Sequence, residues 1–311
     1  MRDDVGSVTD GLYRHGRWDA ALVHRLLAGC QPEYPWLRTD LDPPADPDLV
    51  SRFEDLHGVD LPEAYRSFAL NVGAGGAGPN YGLFTFDRSS IADTLPGTAW
   101  SAFLAEDPVG YGAPFEHSAA WNPTELLEAD EPVDAYYSAA ATHGTWLLSD
   151  CGCAIWEFLV INGKARGEIW CDQRTDGDGL YPLTRKPGPG RHTFDSWYSE
   201  WLRSYVDDQF QAVELRVGSS VLRVPAWSAR LVHNEIRRHD AERRFLFAAS
   251  ESTQLFDLDR LDPDARRSLG SLLGTLAGEL AGRTAMAEAL HPDLTYATAA
   301  RLLESLSDAI R

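Results

Sequence analysis

The stretch "LPEAYRSFALNVGAGGAGPNYGLFTF" (Leu61–Phe86) holds Gly73, Gly75 and Gly78 in a G-x-G-x-x-G spacing. That spacing marks a dinucleotide site only where a strand runs into the glycines and a helix leaves them, because the pyrophosphate must meet the helix N-terminus. Here the order is reversed. Pro62 opens a helix, Glu63 suits the positive end of its dipole, and Tyr65, Phe68, Ala69 and Val72 form one apolar stripe. Gly73 falls at the C-terminal cap position, and "YGLFTF" beyond it alternates like a strand. The helix therefore turns the negative end of its dipole on the loop, which disfavours phosphate. The stretch predicts helix, loop, strand, and no dinucleotide cofactor.

Upstream, "HGRWDAALVHRLLAG" spaces Trp18, Leu22 and Leu26 as a short amphipathic helix ending at Gly29, and the prolines of "QPEYPWLRTDLDPPADP" make a connector. Asp46-Pro47 starts a helix through "DLVSRFEDLHG", with Gly58 past its end and Leu49, Val50, Phe53 and Leu56 on its apolar face. Downstream, residues 91–145 are mixed, and "WNPTELLEADEP" reads as a turn and a short helix. "GTWLLSDCGCAIWEFLVI" reads as one central strand covered on both faces, "NGKARG" as its turn and "EIWC" as the return strand, which sets Trp156 across from Trp170. "DQRTDGDGLYPL" is a polar loop leading to a short strand, and "TFDSWYSEWLRSYVDDQF" is a closing helix with Phe194, Trp197, Tyr198, Trp201 and Leu202 inward.

Beyond residue 208 the composition changes, and of ten tryptophans only Trp227 lies there. "AVELRVGSSVLRVPAW" reads as a hairpin, "PAWSARLVHNEIRRH" as a helix, "RFLFAAS" as a strand, and "DPDARRSLGSLLGTLAGELAG" and "LTYATAARLLESLSDAI" as helices. Three regions follow: an N-terminal helix and connector over 1–44, a main domain over 45–208, and a smaller, helix-rich α+β domain over 209–311.

The net charge of −19 is uneven: residues 1–208 hold 33 acids and 15 bases, residues 209–311 hold 14 and 13. Such a surface repels nucleic acid and anionic membranes and attracts basic partners. It also serves plain solubility. There is no apolar run of membrane-spanning length, and "MRDDVGSVTDGLYRHGRWD" has acids where a signal peptide has bases and an apolar core, so the expected location is the cytoplasm. Four cysteines are too few for a disulfide scaffold.

"FEDLHGVDLPEAYRSFALNVG" resembles the opening helices of the SUKH superfamily, the family of a yeast cell-wall assembly regulator and of many bacterial immunity proteins. Glu54, Leu61-Pro62, Tyr65, Phe68 and Asn71-Val72-Gly73 occupy that family's pattern positions. "PFEHSAAWNP", the central hairpin segment, "DGDGLYPL" and "TFDSWYSEWL" look like its later segments in the same order, so the resemblance covers residues 45–205. His57 departs from the usual leucine, and "NVGAGG" extends the glycine turn. The resemblance implies an α+β fold with N-terminal helices packed on a mainly antiparallel sheet. It also implies binding rather than catalysis, in many bacterial members direct neutralisation of a toxin.

The residues offer few catalytic or metal signals. There is no G-x-S-x-G, H-E-x-x-H or P-loop, and nothing in the spacing of His117, His143 and Asp150 asks them to meet. Cys151, Cys153 and Cys171, with His143 or His192, assemble a zinc site on paper, but one residue separates the first pair where zinc ligands are usually two to four apart, and buried structural cysteines are commoner. Asp172, Asp176 and Asp178 lack the spacing of a calcium loop and read as a solvated turn or an acidic docking surface.

The expectation is a non-enzymatic, cofactor-free binding protein whose partner is a basic toxin domain. Its expected contacts are Asp172, Asp176 and Asp178 on the loop with Glu157 and Glu168 on the strands. The alternative is a regulatory or scaffold adaptor that dimerises, or holds a second partner, through residues 209–311, where "RRSLGSLLGTLAGEL" is amphipathic. A weaker third reading uses the tryptophans to hold a glycan or small ligand.

Overall fold

The computed structural model describes residues 11–30, 38–86, 110–124, 136–185, 190–210, 212–217, 220–229, 231–232, 253–256, 263–290, 299–301, 303–304 and 307–308. The fold is α+β. The chain divides into two compact units, one of Thr9–Ala28 and Tyr34–Arg203, the other mainly Ser204–Arg311.

In the larger unit a small antiparallel hairpin of β1 (Tyr13–Arg14) and β2 (Arg17–Trp18) precedes α1 (Ala20–Gly29). Trp18, expected on the helix, instead belongs to the hairpin, where it is buried and donates its indole N–H to Ala64 O at 2.8 Å. Helix α2 (Pro47–His57) starts and stops as its sequence dictates. The Asp46 side chain accepts from Asp48 N, Pro47 occupies the first turn, and Gly58 closes the helix at φ 63°.

Helix α3 (Glu63–Asn71) buries Tyr65, Phe68 and Ala69 and ends on Val72 at φ −112°, so Gly73 is not a left-handed cap. Its lack of a side chain serves packing. A Cβ on Gly73 would stand 2.9 Å from Asp42 O, and one on Gly76 (φ +100°) 2.5 Å from Asp40 O. The glycine run lies flat against residues 40–42 through bonds such as Asp42 N to Gly75 O (2.9 Å) and Ala77 N to Asp40 O (2.8 Å). Single antiparallel bridges Leu41–Gly76, Gly76–Leu83 and Leu83–Ser149 then carry this loop onto the main sheet. It covers an edge that would otherwise stand open.

That sheet has the order β3 (Thr145–Gly152), β4 (Ile155–Val160), β5 (Ile169–Gln173), β6 (Gly179–Pro182), all antiparallel. The expected single long strand is therefore a hairpin, turned at Cys153 and Ala154 with φ 54° and 59°. A further difference follows from the register: Trp170 faces Phe158, and Trp156 faces Asp172. One side of the sheet packs Phe158, Val160, Trp170 and Leu180 with Phe115 and Ala165. On the other, Trp146 meets Phe53, Tyr65 and Phe86 at ring-centroid distances of 5.0–6.1 Å. Helix α4 (Phe194–Phe210) adds Phe194 and Tyr198, which pack largely edge-on against Phe68 and Trp18. The short helix expected in "WNPTELLEADEP" falls largely outside the described residues.

In the smaller unit β7 (Ala212–Val217) pairs antiparallel with β8 (Ser220–Pro225) and parallel with β9 (Thr253–Phe256). Sequence reading missed β9, and the expected strand "RFLFAAS" lies outside the described residues. Helix α5 (Pro263–Leu290) buries Leu269, Leu273, Leu276 and Leu280 within the chain. Ser307 Oγ donates to Gly270 O at 2.7 Å and ties the C-terminal helical residues to α5.

Candidate functional site

Three loops meet at the end of the main sheet that carries the β3–β4 turn. The loop after β5 is built on Asp172 and Arg174, both almost fully buried. Arg174 Nε donates to Asp172 Oδ1 at 2.8 Å and Nη2 to Oδ2 at 2.7 Å. Its Nη1 reaches Tyr136 O at 2.9 Å and Ser138 O at 3.0 Å, so one guanidinium clamps residues 136–138 against the sheet. Only 4 % of Asp172 is exposed. Its expected role as a partner contact is therefore replaced by that of an internal counter-ion, because two charges leave water together only when each satisfies the other's donors and acceptors.

The rest of the rim is pinned by uncharged bonds. Thr175 Oγ1 donates to Ala154 O at 3.2 Å, fastening the turn after β5 to the β3–β4 turn. Asn122 Nδ2 donates to Gly177 O at 2.6 Å, and Tyr136 Oη donates to Asn122 Oδ1 at 2.7 Å. Tyr137 Oη donates to Arg174 O at 3.2 Å while its ring remains 43 % exposed. Tyr81, 54 % exposed, comes from the end of the glycine loop: its N–H donates to Asp150 O at 3.1 Å and its ring lies beside Gly152. Asp176 and Asp178 are exposed between these elements. The rim thus presents two tyrosines, two carboxylates and the Cys153–Ala154 turn on a fixed base.

The two strand glutamates sit elsewhere. Glu157 lies half-buried on the sheet face beside α4, where Oε2 accepts from Asn80 Nδ2 (2.8 Å) and Trp197 Nε1 (3.2 Å). Burial raises its carboxyl above the ordinary carboxylate range, and the two hydrogen bonds offset only part of that shift. Glu168 is at the opposite end of β5, about 13 Å from Asp172 at the rise of an extended strand. There it accepts from Arg191 Nη1 at 2.6 Å and Trp170 Nε1 at 3.1 Å. The structure therefore does not bring Glu157 and Glu168 into one acidic surface with the loop.

Cys153 is exposed in the turn, Cys151 is half-buried, and Cys171 is buried. Among the described residues no group of three or more His, Cys, Asp or Glu side chains is placed to hold a metal ion. Burial pushes the Cys171 thiol up to about 12 and raises that of Cys151 as well, which keeps both protonated and chemically quiet. His117 packs on Phe115 and Trp121, and His192 sits against Ser196 and Glu200, each in its own surroundings. Among the described residues no helix is long and apolar enough to cross a membrane.

Of the residues on this rim, the sequence singles out Asp176 and Asp178, which are exposed, and not Tyr81, Tyr137 or Arg174. Nothing local marks an exposed tyrosine. The Arg174 signal was present as D-x-R at residues 172–174, a spacing that allows a bidentate pair but does not require one. No protein-family model, curated protein or solved structure matches the chain, so the rim's geometry and charge carry the functional argument.

Proposed function

We propose that the larger unit is a non-enzymatic protein-binding module of the immunity type, which docks a basic toxin domain on this rim and blocks it by contact. The observation that carries the reading is the pairing of exposed Tyr81 and Tyr137 with exposed Asp176 and Asp178 on a base fixed by Asp172 and Arg174. Tyrosine gives large contact area for little lost side-chain freedom and is enriched among binding hot spots. A base that is ordered before binding lowers the entropic cost of association.

Charge supports a basic partner. From Ser89 to Gly163 the chain has eleven acids and no Lys or Arg. That segment supplies Tyr137 and the β3–β4 turn. A surface of this sign speeds encounter with a cationic domain and rejects anionic ones. The resemblance of residues 45–205 to the SUKH superfamily points the same way.

The test is co-purification and titration calorimetry of the intact protein with the toxin domain encoded by an adjacent gene, across about 0.05 to 0.5 M salt. Saturable binding that weakens with salt is expected. Asp176→Lys with Asp178→Lys should weaken it at least tenfold, chiefly through the on-rate, and Tyr81→Ala should speed dissociation. Binding indifferent to all three substitutions would place the contact elsewhere.

A further inference from the structure

We infer that the open groove between the β1–β2 hairpin and helix α3 is an anion site, which takes a carboxylate or phosphate group on Arg17 and Arg66. The groove encloses ≈ 470 Å³ and is lined by Arg17, Glu63, Arg66, Ser67, Leu70 and Asn71 among others. It shares no residue with the rim and does not depend on the docking reading.

Its construction is legible from the backbone. His15 and Gly16, at φ 51° and 75°, turn the hairpin tightly. The two-residue alternation of β2 then buries Trp18 against Phe68 and exposes Arg17. On α3, residues 63, 66, 67, 70 and 71 follow helical spacing, so they form one stripe opposite the buried Tyr65, Phe68 and Ala69. The groove runs between these two surfaces.

Both arginines have donors to spare. Arg17 is exposed and makes no ion pair among the described residues. Arg66 spends Nε on the two oxygens of Glu54, at 3.1 Å each, which fixes the guanidinium plane. Its terminal nitrogens have no partner among the described residues. Asn71 Nδ2 is held by Ser67 O at 2.8 Å, which orients the carboxamide in the groove wall. Guanidinium forks match the planar carboxylate and the phosphate oxygens, and Leu70 adds an apolar floor for the carbon skeleton behind an anionic group.

Glu63 opposes the site. It turns its carboxylate toward Gly16, where the missing Cβ leaves room. Arg66 already shares its charge with Glu54, which leaves Arg17 facing Glu63 as the open balance of the groove, and removing the Glu63 charge should strengthen anion binding. In a chain of net charge −19 the general field repels anions. Saturable binding of an anion here must then come from the local pair.

The experiment is an NMR or calorimetric titration of the intact protein with inorganic phosphate and, separately, with succinate, against sodium chloride at matched ionic strength. Saturable binding of phosphate, of succinate or of both supports the site and identifies which oxygen chemistry it prefers. Arg17→Ala should weaken that binding at least fivefold, and Glu63→Gln should tighten it, with the unfolding temperature of each variant confirming a folded chain. Absence of saturable binding for both anions overturns the inference, as does binding that Arg17→Ala leaves unchanged. Phosphate also stabilises proteins non-specifically by exclusion from their surfaces, so a rise in unfolding temperature equal in the parent and in Arg17→Ala counts against the site.

Discussion

At the residue scale the decisive pair is Asp172 with Arg174. Neither is free to act as a surface charge, and neither is dispensable. Removing one partner leaves the other buried and uncompensated, a loss of about 3–5 kcal/mol for pairs of this kind. Arg174→Ala also abandons the carbonyls of Tyr136 and Ser138. Urea unfolding of the intact protein should show Arg174→Ala and Asp172→Asn destabilised by about that amount. The joint replacement Asp172→Leu with Arg174→Met should cost less than either single change. An Arg174→Ala loss below about 1 kcal/mol would mean that the clamp is not what fixes the rim.

Glu157 makes a second prediction at this scale, and its sign is set by burial. Its carboxyl titrates higher in the folded protein than in the unfolded chain. Between those two values the folded state binds the extra proton, so its contribution is complete below the unfolded value and is lost as pH rises through the folded one. Glu157→Gln keeps an oxygen for Asn80 and Trp197 and removes the titration. The variant should therefore gain unfolding temperature relative to the parent as pH rises from about 4 to about 8. His117 and His192 act in the reverse direction. Burial lowers both, so their contribution is present above the ordinary histidine value and is lost as pH falls through the folded one. The Glu157→Gln difference separates the two effects, since both histidines remain in each protein.

At the element scale the β3–β4 turn is the informative case. A two-residue hairpin loop with both residues at positive φ is normally Asn-Gly, because a Cβ is disfavoured there. Here it is Cys153-Ala154. Each non-glycine residue in that region costs about 1–2 kcal/mol. Cys153→Asn with Ala154→Gly should relieve part of that, less about 0.4–1 kcal/mol for the added freedom of glycine in the unfolded chain. A net gain near 1 kcal/mol is expected, seen as a rise of about 2–4 °C in unfolding temperature. No rise would mean that neighbouring contacts, such as Thr175 on Ala154 O, already compensate the strain.

The same turn explains what could be read in the sequence and what could not. Helix α2 was legible because its ends are written in local chemistry, Asp46-Pro47 at the start and Gly58 at the finish. The helix before Gly73–Gly78 was legible for the same reason, but the strand expected in "YGLFTF" is reduced to isolated bridges at Leu83. The β3–β4 hairpin was not legible, since Cys153-Ala154 is not a customary turn pair and Ser149, Asp150 and Gly152 before it read as part of one strand. Gly73 does stand just past the helix end, but what demands a glycine there is non-local, the approach of Asp42 O. In the candidate site the exposed acids of residues 176 and 178 were legible as a polar loop. Burial of Asp172 and separation of Glu168 depended on strand register and on Arg174, which only the folded chain displays.

At the scale of the whole molecule, charge sets two responses to salt that run in opposite directions. With a net charge of −19, of which residues 1–208 hold −18, the folded chain crowds like charges that the unfolded chain spreads apart. Added salt screens that repulsion, since the Debye length falls to about 10 Å at 0.1 M. The unfolding temperature of the intact protein should therefore rise between about 0.02 and 0.3 M sodium chloride. The exposed ion pairs among the described residues are too solvated to reverse this: Arg38 with Asp40 and Asp42 is a surface cluster, and such pairs contribute about 0–1 kcal/mol each. Docking of a basic domain on the Asp176–Asp178 rim depends on the same charges in the other sense, so its affinity should fall over the same range. A protein that became more stable with salt while binding its partner less would show that its acidity is maintained at the expense of fold stability. If stability fell with salt in parallel with binding, internal ion pairs such as Asp172–Arg174 and Glu168–Arg191 would outweigh the repulsion, and the acidic surface would carry no such conflict.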